Sequence, residues 1–112
     1  MLTTETLREW GANVDEALVR CLNNETFYLT LVKKALQDPS FDLLREAVEA
    51  GDLSKGFEYA HSLKGVTANL ALTPVCGPVT QITELLRSRT ETDYSPLLEE
   101  ISLKRKQLTD LL

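Results

Sequence analysis

Residues 52–72 read DLSKGFEYAHSLKGVTANLAL. Set at about 100° per residue, Leu53, Phe57, Ala60, Leu63, Thr67 and Leu70 fall within one broad arc. Such an arc is the core-facing stripe of an amphipathic helix. The spacing predicts a long helix over Leu53 to Ala71, with Asp52 as its N-cap. His61 lies about 120° from the centre of the stripe, near the solvent boundary. Gly65 follows one turn later and Ala68 about two turns later, while Lys64 is three residues on. At that spacing Lys64 is close enough to share an anion held at the imidazole.

A glycine inside a helix costs about 1 kcal/mol relative to alanine, so Gly65 needs a physical reason. One account is that a neighbouring helix packs tightly against it. The other is that it leaves open ground beside the imidazole, where a partner's surface can approach. The angular position, about 160° from the centre of the core stripe, favours the second.

Working outward from this helix, the pattern stays helical. Sustained period-2 alternation and Asn-Gly or Asp-Gly hairpin turns are missing. A short first segment, about Thr4 to Trp10, stops near Gly11. Asn13, followed three residues later by Glu16, reads as a capping-box variant, opening a helix with Val14, Leu18 and Cys21 on one side. Asn24 caps the next, whose stripe is Phe27, Leu31 and Ala35 with Tyr28 and Leu36 beside them. Asp38-Pro39-Ser40 breaks it, and Phe41 to Ala50 forms another helix that ends at Gly51. Thr73-Pro74 and Ser95-Pro96 each read as N-cap followed by Pro at the first helical position. The helix after Thr73 carries Val75, Val79, Ile82, Leu85 and Leu86, and Gly77-Pro78 is expected to kink it or delay its start. The last helix bears Leu97, Ile101, Leu108, Leu111 and Leu112. The expected fold is all-α, an antiparallel four-helix bundle with a short additional N-terminal helical segment, in a single domain over residues 1–112.

Composition removes whole classes of function. The 112 residues hold 17 acidic against 12 basic side chains, a formal net charge of −5. That balance supplies no positive footprint for nucleic acid. The one dense basic run, Lys104-Arg105-Lys106, is expected to complement the dipole of its own helix. No apolar run approaches the ~20 residues needed to span a bilayer, so no membrane insertion is expected. Met1-Leu2-Thr3-Thr4-Glu5 lacks the features of a signal peptide, and the expected location is cytoplasmic. Cys21 and Cys76 form no CxxC pair and, with a single histidine in the chain, make a poor metal set. They are expected to be buried free thiols. GxSxG, GxxxxGK[ST] and GxGxxG are all absent, so neither a serine hydrolase elbow nor nucleotide binding has support.

The run Ala60-His61-Ser62-Leu63-Lys64-Gly65-Val66-Thr67-Ala68-Asn69-Leu70-Ala71-Leu72 resembles the signature helix of histidine phosphotransfer (HPt) domains, approximately AHxLKGxxxNLG. The stretch from Trp10 through Val14, Leu18, Tyr28 and Leu31 is similar to the family's N-terminal helices. Ala71 stands where the family usually has glycine, and Gly77-Pro78 falls in a helix that is normally regular. The resemblance implies that His61 is the phosphoryl acceptor and that Lys64 supports the charge of the phosphoryl group. Gly65, Ala68 and Asn69 then belong to the docking surface. On the following helix, Cys76, Thr80, Thr83 and Arg87 are expected to line one flank, with Thr83 and Arg87 as accessory residues beside the phosphohistidine.

Imidazole suits this role because it is nucleophilic near neutral pH without a separate base, and a positioned cation offsets charge on the transferring oxygens. The resemblance implies a phosphocarrier in a phosphorelay, without kinase activity of its own. Its partners would be the receiver domain of a response regulator, a sensor histidine kinase, or both. No cofactor and no metal is expected on this chain, with Mg²⁺ only on the partner receiver. It would act alone or as the cytoplasmic module of a larger sensor kinase. The competing reading is a helical-bundle adaptor that is never phosphorylated and binds its partner through a groove between helices.

Overall fold

The computed structural model describes residues 1–112, and every regular element is an α-helix. In chain order these are α1 (Thr4–Trp10), α2 (Val14–Arg20), α3 (Glu25–Leu36), α4 (Ser40–Glu49), α5 (Leu53–Asn69), α6 (Thr73–Arg87) and α7 (Ser95–Thr109). Four starts follow directly from side-chain chemistry, the first being α1, where Thr3 Oγ1 accepts from the Thr6 N–H. Asn13, Asn24 and Asp52 accept hydrogen bonds from the backbone N–H groups of Glu16, Phe27 and Lys55, each satisfying a donor that the first turn leaves free.

The two Pro-marked starts are shifted by one residue. Thr73 and Ser95 are the first helical residues, not the caps, and Leu72 and Tyr94 precede them without a side-chain cap bond. The N–H groups of the whole first turn lack helical partners, so proline fits the second position as readily as the first. Gly77-Pro78 neither delays α6 nor interrupts it. The helix runs from Thr73 to Arg87 with Pro78 inside and buried, and burial of the ring offsets the one hydrogen bond it removes.

Helix α5 packs against α4 on one side and α6 on the other, while α6 packs against α7 and α7 also meets α3. Short connections between these neighbours make them antiparallel. One buried cluster draws Leu7, Val14, Tyr28, Leu44, Leu63, Val79 and Ile101 from the seven helices in turn. On α5 the buried residues are Gly56, Ala60, Leu63 and Thr67, with Leu70 just beyond. Gly56 lets α4 approach closely: a Cβ added there would lie 3.2 Å from Val48 Cγ2. On α3 the stripe is rotated from the expected one. Tyr28, Val32, Ala35 and Leu36 are buried, whereas Phe27 is 50% exposed.

The C-terminal end of α5 is tied down by the N-terminal helices. Ala71 takes the left-handed conformation with φ 54°, and the N–H groups of Leu72 and Ala71 bond back to Thr67 and Ala68 carbonyls at 2.9 and 3.1 Å. This is a Schellman ending with alanine where glycine is the unstrained choice. Three groups from earlier in the chain hold it in place. Arg20 Nη1 donates to the Asn69 carbonyl at 2.9 Å, Tyr28 Oη donates to the Leu70 carbonyl at 2.9 Å, and Asn13 N–H donates to the Ala71 carbonyl at 3.0 Å. Each satisfies a carbonyl at the end of the helix, where intrahelical partners run out.

Burial, with a smaller contribution from nearby Cys21, pushes the Tyr28 phenol up to about 12. An unfolded chain ionises this tyrosine near 10. Stability from the neutral, buried phenol is therefore complete below pH 10 and is lost as pH rises from 10 to 12, by about 2–3 kcal/mol. Chemical denaturation across that range is expected to show this loss in the wild type and not in Tyr28→Phe. Parallel slopes in the two proteins would contradict the assignment.

The basic run on α7 does not serve its own helix alone. Arg105 Nε and Nη2 both donate to the Leu36 carbonyl, at 3.0 and 2.7 Å, so its guanidinium caps the C-terminus of α3 while lying 4.5 Å over the Phe41 ring. Lys106 pairs with Asp110. Cys21 is buried, but Cys76 is only half-buried.

Candidate functional site

The outward edge of α5 is built by the same 3.6-residue period that forms its core stripe. His61 is exposed, with Gly65, Ala68 and Asn69 exposed further along the helix. A Cβ placed on Gly65 would meet nothing within 4 Å. The glycine therefore does not admit a neighbouring helix; Gly56, on the opposite side of α5, does that. Ground beside the imidazole is open towards solvent.

The His61 ring has a fixed neighbour. Phe57, one turn earlier, stacks on it with centroids 5.5 Å apart and planes 12° from parallel. Phe57 was expected among the core residues but is half-buried at the edge of the site. Arg87 from α6 places its guanidinium carbon 4.9 Å from the Phe57 centroid, and Arg89 follows at 5.7 Å. Stacking and cation–π contact restrict the imidazole and the guanidinium without using a polar atom of the histidine.

Lys64 reaches across to α6, where its Nζ lies 3.3 Å from Glu84 Oε1. Arg87 Nε lies 3.2 Å from Glu84 Oε2. One carboxylate thus joins both basic residues singled out from the sequence. Hydrogen bonds from Lys64, and then from Arg87, hold the Glu84 carboxyl below its ordinary value.

Thr83 does not take the position expected of it. It is fully buried, and its hydroxyl donates to the Val79 carbonyl at 2.6 Å. The backbone thus uses its hydroxyl, and none faces the imidazole. The flank of α6 towards α5 is instead Cys76, Thr80, Glu84 and Arg87. Glu84 escaped notice in the sequence, although Thr80, Glu84 and Arg87 follow the i, i+4, i+7 ladder of a single helix face. Asn69 contributes its backbone carbonyl to Arg20. Ala68 lines a groove between α5 and α6 with Cys76 and Thr80, while Asn69 and Val66 line another towards α3. The C-terminal end of α5 thus lies between these two depressions.

The Hpt domain family model matches residues 30–112. The chain belongs to the Hpt domain family. The matched span begins within α3 and takes in α4 to α7. It is narrower than the likeness read from the sequence, which extended back to Trp10. Neither a curated protein nor a solved structure matches the chain significantly. Hpt domains are phosphocarrier modules of phosphorelays, without kinase activity of their own, that interact with receiver domains and histidine kinases. In this Hpt domain no helix is long and apolar enough to cross a membrane. No three His, Cys, Asp or Glu side chains come together as a metal set.

Proposed function

We propose that this Hpt domain carries the phosphoryl group on His61, taking it from a receiver aspartate or a histidine kinase and delivering it to a receiver. The observation that carries this reading is the exposed imidazole beside open ground at Gly65. It is the only histidine in the chain. A neutral ring nitrogen attacks the phosphorus of the partner's acyl phosphate. The N–P bond forms as the bond to the carboxyl oxygen breaks, and the carboxylate departs with the electron pair. The ring keeps the proton on its other nitrogen, so charge balances between reactants and products.

Lys64 is the charge partner for the transferring oxygens, and Arg87 adds support from α6 through its contact with Phe57. Gly65, Ala68 and Asn69 form the ground on which the partner rests. This chain needs no cofactor in the step; Mg²⁺ belongs to the partner receiver. The process is positioning and electrostatics, the two contributions that dominate phosphoryl transfer.

The test is direct. A panel of receiver domains carrying radiolabelled aspartyl phosphate is mixed with the chain, and the transferred label is treated with acid and with base. Label lost in acid and kept in base is expected, as for a phosphoramidate. An adaptor that is never phosphorylated binds a partner but takes up no label from any receiver or kinase.

A further inference from the structure

We propose that Glu84 is a positioning residue: it holds Lys64 and Arg87 at the α5–α6 edge that carries His61 and competes with the bound phosphoryl group for them, keeping the phosphohistidine easy to discharge. This rests on His61 as the acceptor. Glu84 uses a separate oxygen for each cation, Oε1 for Lys64 of α5 and Oε2 for Arg87 one turn along α6. Arg87 lies against Phe57, and Phe57 stacks on His61. The carboxylate is therefore the link that closes a ring of contacts from α5 to α6 and back to the imidazole.

Charge gives the link its consequence. Two cations released from Glu84 at this edge would be drawn to a phosphoryl dianion on His61 and favour its retention. One carboxylate shared between them cancels part of that attraction. When the phosphoryl group arrives, Lys64 exchanges Glu84 for phosphoryl oxygens; when it leaves, Glu84 takes the ammonium back. Both pairs are exposed, and exposed pairs are weak, so the exchange is inexpensive in either direction. Because the carboxyl titrates below its ordinary range, it is charged throughout the neutral region and acts as a constant competitor.

In the transfer the P–O bond to the aspartyl carboxyl is exchanged for a P–N bond to the imidazole, without oxidant or further reactant. Glu84 changes only where that equilibrium lies. The experiment takes a receiver domain that labels the wild-type chain and measures the equilibrium ratio of phosphohistidine to phosphoaspartate for wild type and Glu84→Gln. The variant is expected to shift the ratio towards phosphohistidine by about two- to fivefold, the scale of weak exposed charge pairs. In a Lys64→Gln, Arg87→Gln background the same change is expected to leave the ratio unmoved. A residue with a merely structural role would lower thermal stability and give no gain in phosphohistidine. An unmoved or reduced ratio, or a gain that persists without the two cations, overturns the proposal while His61 remains the acceptor. No label on the wild-type chain from any receiver or kinase overturns the acceptor assignment and this inference with it.

Discussion

His61→Gln is expected to abolish label uptake from a phosphorylated receiver, by two orders of magnitude or more, while leaving helicity and melting nearly unchanged. The large effect on chemistry follows from there being one nucleophile and no substitute. His61 is the sole histidine, and an amide nitrogen has no available lone pair with which to attack phosphorus. The small effect on stability follows from exposure. His61 points out of the bundle, and its ring stacks on Phe57 with centroids 5.5 Å apart. Loss of that stacking is worth about 0.5–1 kcal/mol, against a core that does not involve position 61. The measurement is paired: transferred acid-labile phosphate, and circular dichroism with thermal melting on the same preparation. Uptake equal to wild type would remove His61 from the role. Loss of uptake together with loss of helicity would reassign the imidazole to the fold.

How far these residues could be read before the fold was known differs from element to element. Asn13, Asn24 and Asp52 were legible because a cap is a local bond, closed within three residues. The core side of α5 was legible because Ala60, Leu63, Thr67 and Leu70 leave one phase open to the helix. On α3 the apolar residues Phe27, Tyr28, Leu29, Leu31 and Val32 crowd together, so periodicity alone does not choose a phase. The choice is made by the Leu70 carbonyl, which takes the Tyr28 hydroxyl from 42 positions away in sequence. Arg105 is a similar case. Its obvious local use is the dipole of α7, but the carbonyl it satisfies belongs to Leu36 of α3.

The site divides along the same line. His61, Lys64 and Gly65 share one helix, and their relation follows from its period. Thr83 and Glu84 lie on a second helix, whose rotation against α5 is a tertiary fact. A turn of one position exchanges them: Thr83 goes into the core with its hydroxyl on Val79, and Glu84 comes to Lys64. Phe57 was assigned to the core for the same reason, since an aromatic at the edge of the stripe can pack inward or lie along the surface. Ala71 shows the converse. Its left-handed φ of 54° is what a glycine in that place would adopt without strain, so the departure from the family pattern leaves the turn intact and changes only its cost.

Gly65→Leu is expected to raise stability and slow phosphoryl transfer, and the opposite signs make it the more searching of the two variants. Leucine exceeds glycine in helix propensity by nearly 1 kcal/mol, and an added Cβ at position 65 meets no atom within 4 Å. The melting temperature is therefore expected to rise by a few degrees. The added side chain does not stand away from the site, however. In a helix a leucine leans back towards the N-terminus and covers the turn before it, and the residue one turn before position 65 is His61. A branched side chain there stands between the imidazole and an approaching aspartyl phosphate, where misplacement by about 1 Å can cost up to a hundredfold. Transfer is expected to slow by at least about tenfold, with Gly65→Ala intermediate because a methyl group reaches less far over the ring. Rapid-quench kinetics with a labelled receiver, run beside thermal melting, separates the possibilities. A fall in melting temperature would mean that position 65 is packed after all, and unchanged kinetics in the leucine variant would mean that the partner does not approach over this glycine.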